Sequence, residues 1–173
     1  MKLMKKSLIL LLASMLLLTA CNQAGETAPV ATTTVETGDV KEPTPGDTRS
    51  MATIYNDIMK GVTAELPALG QQKVPNNRFE YYFGIKKPAS AKDTLVAEPM
   101  IGSIPFAITL LKVDASADAN ALAKEIKEKV DPRRWVCVEA SYVETAVKDN
   151  VILLVLDGDN ARGAEIIAAF NNN

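Results

Sequence analysis

The chain has no histidine, two cysteines and one tryptophan in 173 residues, and aromatic residues make up only 5 % of it. The missing histidine removes Ser-His-Asp and Cys-His nucleophile systems and the usual imidazole-rich metal sites. Neither a Walker-type glycine-rich phosphate loop nor a GxGxxG fingerprint is present, so the common nucleotide cradles are absent as well. There is no basic stripe of the kind nucleic-acid binders carry. Lys and Arg number 19 against 21 Asp and Glu. Leaving out the first twenty residues removes three lysines and no acid, which makes 16 basic against 21 acidic residues, and this balance gives no polybasic contact with anionic lipid.

What is present begins with an address. Lys2, Lys5 and Lys6 precede an uncharged leucine-rich run, Leu8 to Leu18. That is the layout of a secretory signal peptide, and the run is shorter than the roughly 20 residues of a membrane span. Leu18-Thr19-Ala20-Cys21 follows directly and resembles the lipobox of bacterial lipoproteins. The resemblance implies cleavage between Ala20 and Cys21 and a diacylglyceryl thioether on Cys21. The implied location is the extracytoplasmic face of the cell membrane. Each buried methylene contributes about 0.8 kcal/mol, so two or more acyl chains hold a protein stably. With Cys21 lipidated, Cys137 has no partner for an internal disulfide. Its setting, Trp135-Val136-Cys137-Val138, predicts an inert buried thiol.

The expected organisation has three parts: a signal peptide over 1–20, lipidated Cys21 with a tether over 21–50, and one globular α+β domain over 51–173. The segment after Cys21 is rich in Thr, Pro, Gly and acids and lacks aromatics, so it buries too little apolar surface to offset the entropy of ordering. Treated as a flexible coil, these roughly 29 residues reach about 30 Å.

Within the domain, Met51, Ile54, Tyr55, Ile58, Met59, Val62 and Leu66 fall at helical spacing, with Ser50 or Thr48 as cap and Pro67 as stop. Phe79 to Ile85 reads equally as strand or as a short helix ending at Gly84. Ile104 to Val113 predicts a buried strand. A helix follows, with Ser116 as candidate cap, Ala119, Leu122, Ala123, Ile126 and Val130 as its apolar stripe, and a Glu125–Lys129 pair on its charged face. Val143 to Lys148 and Val151 to Leu156 predict a hairpin turning at Asp149-Asn150. A last helix, Asn160 to Phe170, capped by Asp157 or Asp159, would turn Ala164, Ile167 and Ala168 to the sheet. The fold expected is a small mixed or antiparallel sheet of three to four strands preceded by an N-terminal helix. Val151 to Leu156 is the expected parallel neighbour of Ile104 to Val113, in an arrangement that resembles part of a split β-α-β, ferredoxin-like unit with helices on one face.

Tyr55-Asn56-Asp57-Ile58, Pro99-Met100-Ile101, Ile108 to Val113, Asp131-Pro132-Arg133, Tyr142 and the closing hairpin, set behind a lipobox and a Thr/Pro-rich tether, resemble the small bacterial lipoproteins grouped as domain of unknown function 4358. The resemblance spans about Ala52 to Phe170 and implies a surface location. It implies no activity and no functional residue.

The functional expectation is a non-catalytic interaction or binding module at the cell envelope, without cofactor, metal or nucleic acid, that binds a protein or another envelope component, an envelope protein among the candidates. The alternative is an envelope hydrolase or small-ligand-binding lipoprotein with an acidic site, for which Glu98, Glu139 and Glu144, or Ser103 and Ser141 with a lysine, are unconstrained candidates. Asp157-Gly158-Asp159-Asn160 opens like a calcium loop, but Ala161, Arg162 and Ala168 stand where ligands would be needed, so it reads as turn and cap. Arg133, Arg134 and Trp135 admit two readings. As a patch they would receive an anionic partner. In the simpler reading Trp135 is core, and the arginines complement the C-terminal dipole of the preceding helix.

Overall fold

The computed structural model describes residues 46–173. Five strands form one sheet in the order β1-β2-β3-β5-β4: β1 Leu69–Gln72, β2 Ala91–Pro99, β3 Phe106–Val113, β4 Tyr142–Lys148 and β5 Val151–Asp157. Every neighbouring pair is antiparallel. The helices are α1 Met51–Lys60, α2 Phe79–Phe83, α3 Ala119–Lys129 and α4 Asn160–Asn172, and a 3-10 turn, Asn76–Arg78, leads into α2. None of the described helices is long and apolar enough to cross a membrane.

The expected parallel pairing of β3 with β5 is overturned, and the hairpin explains why. Asp149 takes a positive φ of 53° and closes β4 onto β5 in two residues, which forces those strands antiparallel. Every residue of β5 is buried, whereas β4 is half-buried along its length, so β5 takes the interior position and β4 the edge. The helix α3 therefore carries the chain past the place of β5 to β4. It is β3 and β4 that run the same way, with β5 antiparallel between them.

The sheet is covered on both faces, not one. Val96, Leu111, Val113, Ile152, Leu154 and Leu156 pack beneath α2 and α3, with Phe79, Phe83 and Ile126. The alternate residues Leu95, Ala97, Ile108, Leu110, Leu153 and Val155 pack beneath α1 and α4, with Ile54, Ile58, Ile166 and Phe170. Period-two alternation places successive side chains on opposite faces, so the continuously apolar β3 and β5 serve both cores. Two strands went unseen in the sequence. In β2 only Leu95 to Ala97 is a clear apolar run, and a register irregularity between Ala91 and Asp93 breaks its period. The edge strand β1 is Leu-Gly-Gln-Gln.

Caps set the helix limits. Ser50 accepts from the Thr53 N–H and starts α1, which ends at Lys60 because Gly61 already closes it. Val62 and Leu66 still touch the core, but from the connection, not from the helix that their spacing predicts. Asp118, not Ser116, caps α3, and Glu125–Lys129 pair at 2.6 Å. Asp159 caps α4. Its buried face is Gly163, Ile166, Ala169 and Phe170, rotated from the expected Ala164, Ile167 and Ala168. Gly163 sets that rotation, since any Cβ there would strike the Tyr142 ring.

The described chain starts beside the Asn150 turn. Asn150 Oδ1 accepts from the Asp47 N–H at 2.7 Å while its Nδ2 donates to the Val113 carbonyl at 2.6 Å. Arg49 bridges Asp47 and Asp57 at 2.7 and 3.0 Å. Residues 46–50 are thus fastened to this end of the sheet, upstream of the expected domain start at Met51.

Candidate functional surface

The opposite end of the sheet is where β2 ends and where β3 and β4 begin. Two connections meet there. Residues 100–105, Met-Ile-Gly-Ser-Ile-Pro, carry no charge. Residues 130–141 leave α3 at Pro132, which cannot continue the helix, and fold back so that the Ala140 N–H donates to the Pro132 carbonyl at 2.9 Å. The Val136 N–H donates to the Gly102 carbonyl at 3.1 Å and stitches the two connections together. Their apolar side chains face solvent: Met100 is 92 % exposed, Ile101 64 % and Val136 70 %. Cys137 is exposed beside them with φ 62°, contrary to the buried thiol that its apolar neighbours predict. The loop places its backbone outside both cores, where Val136 beside it is itself exposed and the half-buried Trp135 and Val138 do not cover it.

Arginine and aromatic side chains build the flank of this surface. The Arg134 guanidinium carbon lies 5.4, 5.2 and 4.8 Å from the ring centroids of Tyr81, Tyr82 and Trp135, and Nη1 donates to the Tyr82 carbonyl at 3.2 Å. Tyr81 in turn donates to the Arg134 carbonyl at 3.3 Å. Arg78 stacks on Tyr81 at 4.3 Å. Cation–π contacts of this kind contribute about 0.5–2 kcal/mol each, most where desolvated. Burial pulls the Arg134 guanidinium below its ordinary value. Tyr82 donates to Glu98 at 2.6 Å, and burial, then that carboxylate, push its phenol up to about 12.

The three residues singled out in the sequence are therefore neither one exposed patch nor simple core. Arg133 is exposed, Trp135 is half-buried against the core under α3, and Arg134 turns inward to the rings. Arg78, Tyr81, Met100, Ile101 and Val136 were missed as partners in the same surface. The uncharged Met100 to Pro105 stretch was the only available signal. Ala20 and Cys21 lie outside the described residues.

Several polar groups elsewhere are engaged in structure, although the buried Thr109 hydroxyl has no partner among the described residues. Glu98 on β2 and Glu144 on β4 are three strand spacings apart, about 14 Å. That exceeds the separation of about 5–9.5 Å that glycosidic chemistry uses. Glu144 also pairs with Lys127 at 2.7 Å, and Ser141 donates to the Gly158 carbonyl and to Asn160 rather than meeting a lysine. Glu139 borders a shallow groove with Arg133, Trp135 and Cys137. A larger groove of about 570 Å³ runs between residues 64–67 and the start of α4. Its Glu165 carboxylate accepts from the N–H groups of Thr63 and Ala64, which hold it below its usual range, and Asp159 is spent on the helix cap. The fully buried Asp157 is forked by Arg162, Nε to Oδ2 at 2.9 Å and Nη2 to Oδ1 at 2.6 Å.

Comparison with known proteins finds no matching family model, no matching curated protein and no matching solved structure.

Proposed function

We propose that the chain is a lipid-anchored extracytoplasmic lipoprotein whose folded domain is a non-catalytic binding module for an envelope protein. The observation that carries the binding reading is the set of exposed apolar side chains Met100, Ile101 and Val136, brought to one end of the sheet, its apolar tip, on two connections joined by a hydrogen bond. Single exposed apolar residues are ordinary on a protein surface, but joined ones mark contact sites. The anchor reading is supported by the sequence: Lys2, Lys5 and Lys6, the Leu8 to Leu18 run and Leu18-Thr19-Ala20-Cys21 directly after it. The chain is fastened at the Asn150 turn, and the seven residues of β5 put about 20 Å between that turn and the Asp157 end.

Two experiments test the halves separately. Cys21→Ala is expected to abolish labelling by an alkyne fatty acid and to release the protein from membranes; unchanged labelling would sink the anchor. A photocrosslinking residue at position 101 or 136, introduced in cells, is expected to trap one discrete adduct that the same residue at Lys124 on the outer face of α3 does not. Absence of adducts from both tip positions would refute the binding face.

A further inference from the structure

The five arginines of the chain divide sharply. Arg49 and Arg162 each hold carboxylates in ion pairs. Arg78, Arg133 and Arg134, the three at the apolar tip, make no salt bridge among the described residues, although acids outnumber bases in this chain. Of the nearby acids, two already accept hydrogen bonds, while Glu139 borders the same groove as Arg133 without pairing to it. Glu98 accepts from Tyr82, and Asp131 accepts from the Arg133 N–H at 2.9 Å. Arg134 goes further: its Nη1 is used on backbone carbonyls, while Nε and Nη2 are buried with no hydrogen-bond partner. Those two atoms form the lateral fork of a guanidinium, the edge that takes a carboxylate in two parallel bonds. Arg162 uses that same pair of atoms to grip Asp157 in this protein. Leaving two such donors buried and unsatisfied costs free energy that an arriving acceptor recovers.

We infer that this flank receives an acidic segment of a partner protein, its carboxylates meeting Arg78 and Arg133 first and then the Arg134 fork. The inference rests on the binding-module reading and names the chemistry of its partner. Apolar side chains of the same segment cover Met100, Ile101 and Val136, and this is what favours an acidic protein over a phosphate polymer, which has nothing to lay on exposed Met and Ile. Stacking on Tyr81 and Trp135 fixes the guanidinium planes in advance, so little side-chain entropy is lost when a carboxylate seats. The fork is closed to solvent in the free protein, so the exposed Arg78 and Arg133 make the first contacts. The chain's own tether also carries acids, Glu36 and Asp39 among them, but the attachment at Asn150 places its near end at the far end of the sheet.

The probe is a fluorescein-labelled peptide of alternating Glu and Leu, titrated by anisotropy against the full mature chain in detergent at low and physiological salt. Arg78→Gln with Arg133→Gln is expected to weaken peptide binding about tenfold, whereas Lys124→Gln with Lys148→Gln, which removes the same charge elsewhere, changes it by about twofold or less. Both arginines are exposed, so folding is retained and a thermal scan verifies it. Equal binding by the arginine variant overturns the inference. So does a preference for polyphosphate or for phosphatidylglycerol vesicles over the peptide, which would assign the face to phosphate. A tenfold gain in peptide affinity on Glu36→Gln with Asp39→Asn would assign it to the tether and overturn the inference equally. Persistent crosslinks from positions 101 and 136 alongside indifferent arginine variants would remove this inference alone and leave the binding module standing.

Discussion

Asp157→Ala is expected to destabilise the folded domain by about 3–5 kcal/mol, the range found when one partner of a buried ion pair is removed. The carboxylate is fully buried at the last position of β5, in register with Phe106 and Tyr142. It accepts both forks of Arg162 and the N–H of Asp159, so truncation leaves a cation and a backbone donor without their acceptor at once. Arg162 also sits over the Phe106 ring at 5.0 Å and donates to the Glu65 carbonyl at 3.3 Å, so the loss spreads to the connection after α1. Arg162→Ala alone should cost a comparable amount. The double variant should cost clearly less than the sum, because the second substitution removes a charge the first had orphaned. Urea unfolding of the three variants measures all of this, and a cost below about 1 kcal/mol for Asp157→Ala would show that water substitutes freely there.

The same pair shows what a sequence conceals. Asp157 and Arg162 are five apart, and nothing in their spacing separates a buried clamp from a cap. From the sequence Asp157 reads only as a cap or a calcium ligand, because burial of an acid cannot be read from its neighbours. The strongly periodic parts were legible. The α3 stripe and its Glu125–Lys129 pair, and the Asp149-Asn150 hairpin, all follow from local rules and are all present. Strand direction was not legible, since it depends on which member of the hairpin lies inside, a comparison between β4 and β5 that involves the whole sheet. The edge strand β1, with Gly70 and two glutamines, has no apolar alternation to find. Of the candidate surface, Arg133, Arg134 and Trp135 are visible in the sequence as residue types, and Arg78 is not. Their separation into an exposed Arg133, a stacked Arg134 and a half-buried Trp135 arises from the turn after Pro132, which carries no periodic signal.

Gly84→Ala is expected to rank with Asp157→Ala, for a different reason. Gly84 ends α2 with φ 69°, and its N–H donates to the Glu80 carbonyl at 2.8 Å. The left-handed conformation alone costs an alanine about 1–2 kcal/mol. In addition, a Cβ at this position would overlap the Lys129 carbonyl and the Val130 nitrogen, backbone atoms at the end of α3 that have no rotamer to turn away. Relief requires α2 and α3 to separate, and forced separations of this size cost about 1–3 kcal/mol more. The two terms add to about 2–5 kcal/mol. Gly102→Ala is the matched control: its φ is not positive and no atom stands within 4 Å of the new methyl group, so its melting temperature should stay at the parent value. The functional consequence follows from position. Phe79, Tyr82 and Phe83 anchor α2 in the core, while Tyr81 and Tyr82, on the turn just before Gly84, supply the rings and carbonyls that hold Arg134. Displacing α2 should therefore loosen the Arg134 stack and the connection beyond it before the sheet itself unfolds. Hydrogen exchange on the Gly84→Ala protein checks the order: protection should fall first at Val136 and Ala140, whose N–H groups donate to Gly102 and Pro132, and last in β3 and β5. Uniform loss across the sheet would mean that α2 and the strands unfold as one unit and that Gly84 supports the whole core instead of the binding surface.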